Sequence, residues 1–229
     1  MIILFAIALL NFRIHPRSDL LKEENLLLQQ KKFAQAAEVY AELRRDHKDD
    51  PELAMRQGAA LELAGNFDQA LAVYEEAART KTNVAAGNNA AYLISELYPK
   101  DAPRLQEALA MAEQAAKAQP TIASFHDTKG WLAYLLGQYP IALEELRRAV
   151  SGLPDSAEAH YHLGLAEGQG GSEAMARLHL EASVALSIGL PAERAAALAP
   201  AERRAGQRAQ EALKALPATQ AASMPASAP

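Results

Sequence analysis

The sequence predicts an all-α solenoid of stacked helical hairpins, and three observations carry that prediction. The first is an offset of 34 residues. It relates Phe33 to Phe67, Ala36 to Ala70 and Tyr40 to Tyr74 in the first half, and Gly130 to Gly164, Gly137 to Gly171, Ala142 to Ala176 and Leu146 to Leu180 in the second. A period of that length is one supersecondary unit that buries its apolar face by stacking on its neighbours. The second is composition: 50% of the 229 residues are hydrophobic, alanine dominates, and only 6% are aromatic, which favours close-packed helices over pleated sheet. The third is punctuation, with Gly65 and Gly137 at the predicted turns and Pro154 in the loop after a second helix.

Gly58 and Gly130, like Gly65 and Gly137, lie 72 apart, which is 34 plus 38, so one unit carries four extra residues. The units then read 17–50, 51–84, 85–122, 123–156 and 157–190. In 123–156 a small residue, Gly130, set against Ala142 is expected to let two antiparallel helices approach closely, with Tyr139, Leu146 and Ala149 filling the second helix. Gly137 supplies a positive φ at the turn, and Pro154 stops the second helix. Unit 17–50 has Glu23 and Glu24 where apolar and small residues are expected, which predicts a first helix facing solvent as a cap. In 85–122, Tyr92 replaces glycine and YPKDAPRL replaces the tight turn, predicting a longer, exposed loop extended before Pro99 and Pro103. Residues 191–215 read as a closing helix with a polar outer face, and the uncharged 216–229 as a disordered tail.

At these residues the sequence resembles the tetratricopeptide repeat family, whose units carry small residues at the eighth and twentieth positions, glycine near the fifteenth, an aromatic at the seventeenth and proline near the thirty-second. The resemblance implies a right-handed α-α superhelix of four to five hairpins. It implies a non-catalytic scaffold that takes a peptide or helix of a partner in its concave groove. The runs NNAAYLI, DTKGWLAYL and YHLGLA are similar to repeats of bacterial cell-envelope and polysaccharide-export proteins, so an assembly subunit of a membrane complex is the alternative.

Carried over from the family, the groove-facing positions include Met55, Ala59 and Glu62, then Asn89, Leu93 and Glu96, then Asp127, Trp131, Tyr134 and Leu135, then Tyr161 and Leu165. The expected partner-binding set is Asn89, Leu93, Asp127, Trp131, Tyr134, Tyr161 and Leu165. Trp131, Tyr134 and Tyr161 read either as an aromatic anchor for a partner or, for Trp131, as core packing. The family's clamp for a terminal carboxylate needs lysine at the fifth position and asparagine at the ninth. Met55 and Ala59, Asn89 and Leu93, Asp127 and Trp131, and Tyr161 and Leu165 hold those places, so no unit supplies it.

Chemistry is otherwise sparse. A net charge of −5 and a pI near 5.7 offer no general attraction to nucleic acid. The absence of cysteine excludes disulfides, thiol catalysis and cysteine-ligated zinc. The GQGG run at 168–171 falls on a repeat turn and not in a phosphate loop. His160 and His162 point to different faces of one helix and cannot chelate one ion, while His126 and His160 read as packing residues. No catalytic residue, metal or cofactor is expected. Glu144, Glu145, Arg147 and Arg148 read as solvated pairs on an outer face. Arg203, Arg204, Arg208 and Lys214 also read as surface, with a weak role toward an acidic partner or lipid headgroup left open.

Met1–Phe12 is an apolar run followed by Arg13, His15 and Arg17. A spanning helix needs roughly 20 apolar residues, and the basic leader of a secretory signal is absent from the run. Residues 1–16 therefore read as part of a membrane anchor, as an interfacial anchor, or as a helix docked on the array. The first two place the chain at a membrane with its repeats in the cytoplasm. The third leaves it soluble in the cytoplasm or periplasm.

Overall fold

The computed structural model describes residues 17–47, 50–79 and 83–216. The expectations for residues 1–16 and for the tail from 217 lie outside them. Among the described residues there are twelve helices and no strand: α1 (Arg17–Gln29), α2 (Phe33–Asp46), α3 (Pro51–Leu63), α4 (Phe67–Ala78), α5 (Val84–Leu97), α6 (Ala102–Ala118), α7 (Ala123–Leu135), α8 (Tyr139–Gly152), α9 (Ala157–Gln169), α10 (Glu173–Ser187), α11 (Ala192–Ala197) and α12 (Pro200–Ala215). They form two compact units, Met1–Leu93 and Ile94–Pro229.

In the first unit α1 packs on α2, α2 on α3 and α3 on α4. The residues repeated at 34 form its core: Ala36 and Ala70 have no exposed surface, and Tyr40 and Tyr74 are sealed, as are Leu43, Leu53 and Leu71. Gly58 permits this closeness, because a Cβ there would overlap the Tyr74 ring. Helix α3 starts where Asp50 accepts the Glu52 amide at 3.0 Å and Pro51 presets the first turn. The turn before α2 places Lys31 at φ 56°, the left-handed conformation that Gly65 adopts at φ 79° one unit later.

In the second unit α6 packs on α7, α7 on α8 and α9, α8 on α9, and α9 on α10. Its core joins Ala133, Ala142, Leu146, Leu163 and Ala166, flanked by Tyr134, Leu143 and Val150. Gly130 does allow close approach, but its nearest neighbour is Leu146 and not Ala142, and Gly164 meets Leu180 in the same way. Gly137 and Gly171 take φ of 73° and 80°, so GQGG ends at a turn. Helix α8 stops at Gly152, ahead of Pro154.

Two sequence expectations are corrected here. The α5–α6 connection is only residues 98–101, and Pro103 stands in the first turn of α6 and not in an extended loop. Asp101 accepts the Arg104 amide at 3.2 Å and so starts the helix early, while the Arg104 guanidinium lies 4.1 Å over the Tyr98 ring. The closing segment is two helices, because Pro200 opens a new first turn at α12 after α11 has ended at Ala197.

Candidate partner-binding face

Asn89 and Leu93 lie on α5 in the first unit. Asn89 is half-buried and hydrogen-bonds the Tyr74 phenol, whose hydroxyl donates to Glu62 Oε1 at 2.8 Å. Burial, with the Glu62 charge beside it, pushes the Tyr74 phenol well above its ordinary value, so it stays a donor. Leu93 is 2% exposed and packs as core.

The other five expected residues are carried by α7 and α9. Trp131, 6% exposed, stacks on Tyr134 with centroids 5.1 Å apart and on His162 at 4.2 Å, and meets Tyr161 at 6.1 Å in a tilted arrangement. Of the two readings for Trp131, its burial is that of a core ring. Its indole Nε1–H has no acceptor in the structure. Tyr134, Tyr161 and Leu165 keep partial exposure, and burial raises both phenols above their ordinary value. Asp127 is buried and faces His162 Nδ1 at 3.1 and 3.2 Å. Burial alone would lower the His162 pKa, but the Asp127 carboxylate overrides it and raises it, which favours an imidazolium stacked on Trp131. A histidine–aspartate pair is two members of a hydrolytic triad, yet this ring is 1% exposed.

Two networks went unseen in the sequence. Glu145, read there as a solvated surface residue, is 5% exposed: its Oε2 lies 2.6 Å from His126 Nδ1 and its Oε1 accepts Lys129 Nζ at 2.9 Å. Burial pushes the Glu145 carboxyl up, but Lys129 and His126 together hold it below its ordinary value. One period on, His160 Nδ1 lies 2.9 Å from His179 Nδ1, and Arg147 donates to the buried Glu167 at 3.2 Å. The signal was present as two more matches at 34, Pro120 with Pro154 and His126 with His160, while Glu145 gives way to His179; His126 and His160 each also bond the proline carbonyl. Glu144 and Arg148 do form an exposed pair at 2.7 Å. Among the described residues no group of three or more His, Cys, Asp or Glu has an arrangement to hold a metal ion.

Helix α12 packs against α9 and α10. Its Glu202 accepts the Ser156 hydroxyl at 2.8 Å and the Glu158 amide at 3.0 Å, at the start of α9. Arg208 forks onto both oxygens of Glu96 at 3.2 Å, and its charge, with that of Glu211, acts on the Tyr161 hydroxyl.

Hairpins in a 34-residue register, small residues under large ones and left-handed turns define a repeat protein whose helices present side chains in rows. The sequence profile of the tetratricopeptide repeat family matches residues 22–91 and 128–191, more than half the chain, and the protein belongs to that family. No curated protein matches it at the sequence level. Among solved structures it is similar to TTC0263, a thermophilic TPR protein of Thermus thermophilus, at 20% identity and a TM-score of 0.60 over 87% of this chain and all of that one. It is similar to MamA from Desulfovibrio magneticus RS-1 at 20% identity and 0.58, over 71% of this chain and 89% of that one. It is also similar to YrrB, a TPR protein with an unusual peptide-binding site, at 15% identity and 0.56, over 84% and 96%. These likenesses show the all-α tetratricopeptide class of fold. Proteins of the family are generally non-catalytic scaffolds for protein–protein interaction. No helix among the described residues is long and apolar enough to cross a membrane.

Proposed function

We propose that the chain is a non-catalytic adaptor that holds a helix or peptide of another protein on the face shared by α7 and α9. The observation that supports this reading is the ring cluster of Trp131, Tyr134 and Tyr161. Trp131 acts as the buried platform, Asp127 and His162 fix its position, and Tyr134, Tyr161 and Leu165 offer the contact surface. Rigid aromatics with partial exposure and a retained hydroxyl donor supply contact area at low entropic cost, and such residues often dominate interface energies. YrrB, with its peptide-binding site, is a precedent for this use of the fold.

The test is a pull-down from cells with the wild-type chain and with Tyr134→Ala/Tyr161→Ala, both confirmed helical by circular dichroism. The reading expects partner recovery to drop at least tenfold in the double variant; unchanged recovery contradicts it. On the apolar run Met1–Phe12, an added role at a membrane surface is a second reading. Flotation with vesicles tests it: the full chain floats and a chain lacking 1–12 does not, whereas equal flotation removes the reading.

A further inference from the structure

We propose that α12 is a displaceable intramolecular occupant of the α9 edge of this face, beside Tyr161, and that the partner replacing it is an amphipathic helix of the same pattern as α12. The inference rests on the adaptor reading and adds the regulation and the chemistry of the partner. Along α12, Glu202, Ala205, Gly206 and Ala209 follow helical offsets of 0, 3, 4 and 7 and so form one stripe, with Arg208 at its edge. The stripe lies on α9 and α10, its carboxylate is seated at the start of α9 and its guanidinium on Glu96.

What α12 buries is small, and its specific bonds are polar. Its buried residues are Ala205, Gly206 and Ala209, all small, whereas α8 buries Leu146 along with Ala142 and Ala149. The Arg208 side chain is 43% exposed, so salt and water weaken its hold on Glu96. The connection to α10 runs through Gly189, at φ 72°, and through α11, which has no buried residue. Leu163 and Leu180, by contrast, are sealed in the hairpin that α12 covers. Departure of α12 leaves that core in place and uncovers four recognition groups: the Ser156 hydroxyl, the Glu158 amide, the Glu96 carboxylate and Tyr161. A replacing helix therefore carries a carboxylate in its first turn, small residues along one stripe and an arginine six residues after the carboxylate.

The probe is a fluorescent synthetic peptide of residues 199–216, titrated by anisotropy against the full chain. Two variants unseat α12 by different routes. Gly206→Leu places a side chain where even a Cβ would overlap Ser187, and Arg208→Glu sets two carboxylates against each other at Glu96. Each variant is expected to bind the peptide at least tenfold more tightly than wild type, and Tyr161→Ala in the Gly206→Leu background is expected to reverse the gain. Equal binding by wild type and both variants overturns the proposal, as does absence of binding. Loss of helicity in both variants also overturns it, since α12 would then be an integral part of the fold. A doubled mass of the variants in light scattering would assign the face to the α12 of a second copy and overturn the assignment to a different partner. The pull-down separates this proposal from the adaptor reading. Recovery that depends on the tyrosines but is equal in wild type and Gly206→Leu removes the gate and keeps the face; recovery independent of the tyrosines removes the face.

Discussion

In the α7/α8 hairpin the ring of His126 faces Glu145; one period later, in α9/α10, the equivalent ring of His160 faces His179. The backbone register is the same, because Gly130 lies under Leu146 and Gly164 under Leu180. The covering differs as well. α7 and α8 are flanked by α6 and α9, while α9 and α10 are flanked on their far side by α12. The pair teaches that small residues fix the geometry of a repeat, while a single polar position decides its charge and its neighbour decides its exposure.

Glu145→Ala breaks the comparison most. It leaves His126 and Lys129 without their shared carboxylate in a buried site, and loss of one partner of such a pair costs about 3 kcal/mol. His179→Ala, at the equivalent place, is expected to cost about 1 kcal/mol, the scale of one neutral hydrogen bond. Urea unfolding of both variants checks the difference; equal losses contradict it.

Gly130→Ala and Gly164→Ala sharpen the comparison from the other side. Each adds a methyl against a leucine, and overpacking of this kind costs about 2 kcal/mol. The two losses should agree closely in the same urea series. A marked inequality would mean that the hairpins are not built alike.

The third effect is a pH response of opposite sign at two histidines. His162 is raised above 6.5, since Asp127 outweighs burial, so its contribution is fully present below pH 6.5 and is lost as pH rises through the raised value. His179 is lowered below 6.5 by burial, although Glu167 opposes this; the unfolded chain takes up its proton first, and stability falls as pH drops from 6.5 through the lowered value. His162→Gln should therefore flatten the alkaline limb of the stability profile and His179→Gln the acid limb, as read from urea midpoints across that range. Glu145, held below 4.5, adds stability above that pH and loses it as pH falls through the depressed value. The smallest effect is Arg148→Ala, which removes an exposed pair one turn apart and should cost about 0.3 kcal/mol.

Much of the fold was legible because spacing alone encodes it: Gly137 and Gly171 take the left-handed turns, Pro154 follows the end of a helix, and Ala142 and Ala176 are fully buried. The site was legible only in part. Glu144 and Glu145 look alike in sequence, and their fates differ because one residue of helical rotation turns Glu145 toward His126 and Lys129. That Trp131 is buried against another ring shows only once His162 is seen stacked on it. The Arg208–Glu96 pair joins residues 112 apart, and no local pattern announces a contact of that range. Lys31 in a left-handed turn was likewise hidden, because the repeat asks for glycine there; the Lys31 and Lys32 amides close the turn by bonding the Leu28 and Leu27 carbonyls.

The account turns on α12 being held separately from the hairpins it covers. Hydrogen exchange at the Glu158 amide, which donates to Glu202, measures this directly when set against the amides of α8 in wild type and in Gly206→Leu. The account predicts that Glu158 protection falls in the variant while α8 keeps its own. Unchanged protection at Glu158, or loss of both together, contradicts it.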